Sequence, residues 1–471
     1  MKILERWAAA FLTAALILSM TPPVWAATDS EAVAAENLYQ LGLFQGTGTN
    51  LQGGPEFSLK RQLSREEAVV MLIRLLGKEG QAQSQSWSSP FGDVDGWAKN
   101  YVGYAYQKGL TYGVSADRLG AKDTVTNDQF LTFLLRALGY EDGNGEDFSW
   151  QNASSYAAQL GMDIDLTRRE ITRGEAAVAA YAGLQQKLKG GQATLCERLI
   201  LQGAADLDQA TRLTLYDGSH SSSLTVDYLD IGQGDSILIR DSGKTMLIDA
   251  GTADSEETLL SDLQAWGITT IDVLLATHPH ADHIGSMAAA LQNFEVKQIY
   301  MTECVHTTAT FERFLDAIEE KGLQATQAKV GQRFTLGNAQ LLLLAANNGQ
   351  KDMNDNSIVL RLTHEGNKFL FTGDASAEEE KILCSSGYSL RADVLKVGHH
   401  GSATSSSRQF LEAIRPEDAV ISVGADNTYG HPTKTVLSRL TAIGAKIYRT
   451  DQQGTVTASS TAAGVQMSTE R

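Results

Sequence analysis

Thr277-His278-Pro279-His280-Ala281-Asp282-His283 decides the reading of this chain. Four metal-capable side chains fall between positions 278 and 283, in a chain with only 9 histidines. Leu274-Leu275-Ala276 just before them reads as a buried strand. A strand delivers its last side chains to one edge of a sheet. A tight loop there aims His278 and His280 at one point, and Asp282 and His283 at a second. Imidazole suits zinc, and mixed imidazole and carboxylate also suits manganese. One or two divalent ions, Zn or Mn, are therefore the expected cofactor.

The surroundings are β-rich from Leu224 onward. Strands are expected over 224–229, 236–239 and 245–248, with a turn at Asp241-Ser242-Gly243-Lys244 and an amphipathic helix over 256–266. Alternation of strands and helices to about 465 predicts a layered α/β architecture. Six further motifs sit at expected strand ends or in the loops beside them. They are Asp230-Ile231-Gly232-Gln233-Gly234-Asp235-Ser236, Ile248-Asp249-Ala250-Gly251 with Asn354-Asp355-Asn356-Ser357, Phe371-Thr372-Gly373-Asp374, Val397-Gly398-His399-His400-Gly401-Ser402, and Tyr429-Gly430-His431-Pro432. Asp235 and the glycines beside it read as turn-shaping residues.

In order and spacing these motifs resemble the metallo-β-lactamase fold, and within it the hydrolase domain of ComEC-type competence proteins. The resemblance covers 224–471 and implies an αββα sandwich. It implies that His278 and His280 hold one metal, that Asp282 and His283 hold a second, and that Asp374 bridges them. His399 would complete the second site, with His400 as the alternative. Asp249 would orient a ligand imidazole from behind, and Asn356 and Ser357 lie beside the metals. Asp282, His400 and His431 are the catalytic candidates, the two histidines contacting phosphate or protonating the leaving oxygen. Many relatives place another histidine on the first metal; here that stretch offers only Asn354, Asp355, Asn356 and Ser357. His306 and His364 read as surface residues.

The first half has a different grammar. Ser64-Arg65-Glu66-Glu67, Thr126-Asn127-Asp128-Gln129 and Thr172-Arg173-Gly174-Glu175 each precede an apolar helical run. Each is a capping box, in which a hydroxyl takes a backbone N–H and the Glu or Gln reaches back. Shorter stretches ending at Gly42, Gly109 and Gly161 precede them, so helix, loop and capped helix recur three times. With Phe91-Gly92-Asp93-Val94 and Trp97, this region resembles the S-layer homology repeat. That resemblance implies an α-helical module over 27–185, in three degenerate copies, whose partner is cell-wall polysaccharide. Arg65, Glu67, Arg173 and Glu175 are the wall-binding candidates. Residues 186–223 read as a connector with one short helix, and His220 within it as a surface residue.

Lys2, Arg6, an apolar run over 7–20, Pro22-Pro23 and Val24-Trp25-Ala26 read as a signal peptide over 1–26. Nothing later is apolar enough over ~20 residues to span a membrane, so no transmembrane partner is expected. Three cysteines, far apart, suggest no disulfide framework. The formal net charge is −17, and 20 Lys+Arg against 31 Asp+Glu from Leu224 onward leave the second half at −11. That excludes a general polyanion binder, which needs clustered cations. The functional expectation is an exported, wall-associated metal-dependent phosphodiesterase or nuclease, acting on DNA or another phosphoester. A phosphodiesterase acting on wall polymer or phosphocholine esters is the second reading. A non-catalytic wall-binding surface protein with a decayed metal site is the third.

Overall fold

A computed structural model describes residues 30–471 except 52, 144, 163–168, 217–222, 348 and 350. The segment read as a signal peptide and His220 lie outside the described residues.

The described residues from 30 to 212 are mainly helical, with one short two-stranded sheet of Gly48–Thr49 and Pro55–Glu56. Helices Arg65–Leu75, Asn127–Ala137 and Arg173–Leu184 begin at Ser64, Thr126 and Thr172, and all three capping boxes form on both sides. The residues just before these caps close a ring. Leu63 N–H donates to the Ile171 carbonyl, Ile171 N–H to Val125 and Val125 N–H to Leu63, at 2.9–3.0 Å. Three chain segments distant in sequence thereby satisfy one another's backbone groups, giving the three capped helices a common centre. The helices pack around one apolar core that includes Leu38, Leu72, Phe130, Leu134 and Leu184. Residues 186–215 are more than a connector. They carry helices Leu195–Leu201 and Leu207–Arg212, with a fourth capping box at Thr194, and Leu188, Leu195, Leu199 and Ala210 enter the same core.

The second half holds two mixed sheets. The strands are β1 Leu224–Tyr228, β2 Ile237–Asp241, β3 Lys244–Ile248, β4 Thr270–Leu275, β5 Glu295–Met301, β6 Ala325–Gln327, β7 Arg333–Leu336, β8 Ala339–Ala345, β9 Val359–His364, β10 Asn367–Phe371, β11 Val394–Lys396, β12 Asp418–Ile421, β13 Lys446–Arg449, β14 Val456–Thr461 and β15 Gly464–Thr469. One sheet has the order β15-β14-β1-β2-β3-β4-β5-β6 and the other β13-β12-β11-β10-β9-β8-β7. Each switches from antiparallel to parallel pairing, at β3–β4 and at β10–β11. Apolar side chains of both sheets, among them Val226, Ile239, Met246, Leu343, Leu360 and Phe369, meet in the central core. Two further cores lie under helices on the outer faces. The result is a helix–sheet–sheet–helix sandwich, and the expected strands and the helix (Glu256–Ala265) appear within two residues of their predicted ends.

The two halves meet through buried charge. Arg361 on β9 is fully buried and pairs with Glu146 at 2.8 Å. Lys368 pairs with Glu141 at 2.6 Å. Arg198 donates to the Glu365 carbonyl, and the Glu365 carboxylate accepts from the Gln192 amide at 2.9 Å. Losing one partner of such a pair leaves an uncompensated buried charge, so these contacts fix how the halves sit. His364, on the same strand, is fully buried rather than at the surface as its sequence context suggested. Its Nδ1 meets Ser460 Oγ at 3.0 Å.

Candidate metal centre

The loops that follow β3, β4, β10 and β11 converge at one edge of the sandwich, at the carboxyl ends of the parallel strands. That is where open α/β sheets place ligands. Asp249 follows β3 with φ 57°. Residues 277–283 follow β4, Asp374 follows β10, and His399 and His400 follow β11. His399 and His400 also take left-handed conformations, φ 50° and 53°. Three non-glycine residues in this region cost of order 1–3 kcal/mol each and persist where the surroundings impose them.

Asp282, His283, Asp374 and His400 bring one ligand atom each within 4.8 Å of one another. His283 Nε2 lies 3.3 Å and His400 Nε2 3.6 Å from Asp374 Oδ1, and His400 Nε2 lies 3.4 Å from Asp282 Oδ2. His283 Nε2, His400 Nε2 and Asp374 Oδ1 are buried with no hydrogen-bond partner. Buried polar atoms are rarely left so. Two imidazoles and two carboxylates, aimed at one point and otherwise unsatisfied, fit a divalent transition metal. The outer nitrogens are already engaged. His283 Nδ1 donates to Asp249 Oδ2 at 2.7 Å, and Asp249 in turn accepts from Thr277 N and Oγ1 at 2.8 and 2.6 Å. His400 Nδ1 donates to the Ser422 carbonyl at 2.9 Å. These bonds leave each Nε2 facing the cluster.

The electrostatics agree. Burial lowers the His400 pKa, but Asp374 and Asp235 outweigh it and raise it to about 10. His283 is likewise raised, against burial, by Asp374 and Asp249. Burial pushes Asp374 and Asp282 up, yet the neighbouring imidazoles hold both well below the usual carboxylate range. Cation loading at this point must therefore release protons.

The other half of the centre is looser. His278 Nε2 lies 3.1 Å from His280 Nδ1 and 3.9 Å from Asp374 Oδ2. Among the described residues, no third imidazole joins them in a compact group. His306, read as a surface residue, sits with its ring 6.0 Å from that of His280.

Several sequence readings shift. His400, not His399, faces the compact cluster; His399 is a quarter exposed, with Nε2 3.6 Å from the other oxygen of Asp374. The two αL residues at 399 and 400 reach different oxygens of Asp374, each at 3.6 Å, a distinction that sequence cannot show. A buried His400 is also unavailable to contact a substrate. His431 remains on the open side, 5.7 Å from His399 and stacked with the exposed Tyr429. Ser357 Oγ accepts from the Asp374 amide at 3.2 Å, and Asn356 Nδ2 donates to the Asp352 carbonyl at 2.8 Å. Asp235 does more than shape a turn. It is buried, pairs with Lys396 at 2.7 Å and lies 3.3 Å from His400 Nδ1. Lys396 was missed, although a lysine closing an apolar strand, Val394-Leu395-Lys396, was a usable signal. Gly234 is required: a Cβ there would come within 2.2 Å of the Asp282 carbonyl oxygen.

The wall-binding candidates also change. Arg173 is buried, donating to the Phe57 and Gln45 carbonyls and pairing with Glu67 at 3.0 Å. Glu67 and Glu175 serve their capping boxes. Of the four, only Arg65 keeps a side-chain nitrogen, Nε, that is buried without a partner.

Residues 229–425 match the metallo-β-lactamase superfamily, and residues 90–131 match the S-layer homology domain. The ComE operon protein 3 of Bacillus subtilis is 32% identical over 255 residues, covering 50% of this chain and 33% of that protein. The competence protein ComA of Neisseria gonorrhoeae is 33% identical, covering 48% of this chain and 30% of its own length. A cell surface protein of Thermoanaerobacter kivui is 28% identical, covering 55% and 34%. The chain spans about a third of the length of these relatives. Residues 229–425 thus form a metallo-β-lactamase superfamily domain, residues 90–131 an S-layer homology domain, and the chain is homologous over about half its length to the ComE operon protein 3 and ComA competence proteins.

Proposed function

We propose that this chain is an exported, cell-wall-associated, metal-dependent phosphodiesterase or nuclease of ComEC-like type. The observation that carries the reading is the convergence of His283 Nε2, His400 Nε2 and Asp374 Oδ1, buried and unpartnered. A decayed site would have relaxed toward hydrogen-bonded or apolar neighbours, so a non-catalytic surface protein is the weaker reading. The resemblance to the ComEC-type hydrolase domain implies a phosphodiester as substrate, and the S-layer homology domain supports attachment at the cell surface.

Asp282, His283, Asp374 and His400 would hold a divalent cation, Zn or Mn, and His278 and His280 would form a weaker second position. A cation there supplies Lewis acidity, lowering the pKa of water to about 7 and offsetting charge that develops on phosphoryl oxygens. Asp249 and Thr277 lock the His283 ring. Asp235, backed by Lys396, and the Ser422 carbonyl lock the His400 ring. His431 lies on the open side beside His399 and Tyr429, its pKa lowered by burial and by His399. From there it takes the place of a phosphate contact or a proton donor to the leaving oxygen. The net charge of −11 beyond Leu224 opposes a long polyanion outside a local groove. This favours a short phosphodiester, of nucleic acid or of a wall polymer.

The test is hydrolysis of bis-p-nitrophenyl phosphate by the chain lacking residues 1–26, with Mn²⁺ or Zn²⁺, beside His280→Ala. Metal-dependent turnover that the substitution abolishes is expected. No turnover despite bound metal would sink the phosphodiester reading.

A further inference from the structure

The second position of the metal centre has two imidazoles close enough to share an ion. His278 Nε2 and His280 Nδ1 lie 3.1 Å apart, near the ~3.4 Å between two nitrogen ligands of one tetrahedral ion. The 354–357 stretch, which would have to supply a third ligand, is otherwise engaged. Ser357 Oγ accepts from the Asp374 amide, and Asn356 Nδ2 donates to the Asp352 carbonyl.

A third imidazole approaches from a different loop. Residues 302–308 follow β5 and lead into the helix Ala309–Glu320. The loop is fixed at both ends. The Glu303 amide donates to Asn347 Oδ1 at 2.5 Å, and Thr308 caps the helix, its Oγ1 accepting from the Phe311 amide. That helix packs on the short helix Ala281–Ile284, which carries Asp282 and His283. His306 is thereby held beside His280, with ring centroids 6.0 Å apart. A Zn–N distance of ~2.1 Å and a ring radius of ~1.1 Å put two imidazoles of one ion about 5.2 Å apart at the tetrahedral angle, and ~6.4 Å apart at most. The His280–His306 pair falls inside that limit. His306 Nδ1 meets Thr308 Oγ1 at 2.9 Å. His283 and His400 show the same arrangement: Nδ1 is engaged by an oxygen, which leaves Nε2 as the ligand atom.

We propose that His306 is the third imidazole of the second position, recruited from the loop after β5 in place of a ligand in 354–357, so that the centre takes two divalent ions. The assignment rests on the reading of this centre as a metal site, and not on its substrate. His399 is the rival for the place. Its Nε2 lies 3.6 Å from Asp374 Oδ2, the oxygen that His278 also approaches, but its ring stands on the open side, 5.7 Å from that of His431.

Titration of the metal-free chain with Zn²⁺ and with Co²⁺ tests it, read by elemental analysis and by the Co²⁺ absorption bands. The unsubstituted chain should take up two ions and His306→Ala one. Affinity at the second position should fall by at least 10- to 100-fold, which is the cost of losing only an outer partner of a ligand. Free imidazole should restore the second ion to His306→Ala, a rescue that a merely structural role for the ring would not allow. His306 is partly exposed, so the variant should fold, and the ion it keeps in the compact cluster reports that it has. His306→Gln, closer in bulk, repeats the test where the alanine variant fails to fold. Two ions retained by His306→Ala at unchanged affinity, or an unsubstituted chain that takes up only one, overturns the assignment. Loss of the second ion in His399→Ala but not in His306→Ala overturns it in favour of His399. Two ions in the unsubstituted chain and one in His306→Ala, with no turnover of bis-p-nitrophenyl phosphate, would keep His306 as a ligand and sink the phosphodiesterase reading alone.

Discussion

The two halves spend their buried polar groups in opposite ways. In the helical half, three of the four residues that read as a binding signature, Glu67, Arg173 and Glu175, are saturated from within. Arg173 has two carbonyls and Glu67, while Ser64, Glu67, Thr172 and Glu175 complete caps. Asp93, of the Phe-Gly-Asp-Val motif, accepts from the amides of Leu119, Gly120 and Ala121 at 2.8–3.1 Å. In the sandwich, the signature residues are satisfied on their outer atoms, while the inner atoms His283 Nε2, His400 Nε2 and Asp374 Oδ1 converge without a hydrogen-bond partner. A sequence motif thus marks a structural requirement in one half and a chemical one in the other. What separates the two is whether buried polar atoms have partners.

The largest effects belong at the unsatisfied cluster. His283→Ala removes a ligand atom together with the anchor of Asp249. Metal content should fall by about one ion per chain, and bis-p-nitrophenyl phosphate turnover by roughly 10³-fold or more, if a bound cation drives the reaction. Asp249→Asn keeps all the ligands and disturbs only the His283 tautomer, so metal affinity should fall about 10- to 100-fold. Retained metal in His283→Ala, measured by elemental analysis, would break the comparison at its strong end.

Next comes a test from the other side. Arg173→Ala leaves the Phe57 and Gln45 carbonyls without a donor and Glu67 with only the more exposed Arg61. Denaturant unfolding should show a loss of about 3 kcal/mol. Arg65→Gln, which removes no internal partner, should cost under ~0.5 kcal/mol. An Arg173→Ala protein that stays stable but no longer sediments with cell walls would restore the binding reading.

The sequence made much of this visible. Capping boxes are local, three to four residues long, and all three formed as read. Strand ends were legible because apolar runs give way to Asp249, His278 and Asp374 at the points where the loops begin. What could not be read was orientation. His399 and His400 are adjacent and chemically identical, and only their two left-handed backbone conformations decide which faces the cluster. Asp235 and Lys396 are 161 positions apart, so their pairing behind His400 is visible only once β11 lies beside the Gly234 turn. The docking of the halves was equally hidden. Arg361 and Lys368 sit in strands whose sequence shows merely an interrupted apolar run.

His364 offers the finest test, because it is a buried histidine of the catalytic half that the comparison places with the structural groups. Its Nδ1 is engaged by Ser460. Burial drives its pKa from the ordinary 6.5 down to about 4, against the pull of Asp241. A depressed folded-state pKa means that the unfolded chain takes up the proton first. Its contribution is therefore whole above pH 6.5 and is lost as pH falls toward 4. Between pH 7.5 and 5.5 the loss should be roughly 1 kcal/mol, read from denaturation midpoints. His364→Gln should flatten that segment of the pH profile while leaving metal content unchanged. If instead His364→Gln lowers metal content, then polar satisfaction does not separate structural from chemical histidines here, and the boundary between the two classes must be drawn elsewhere.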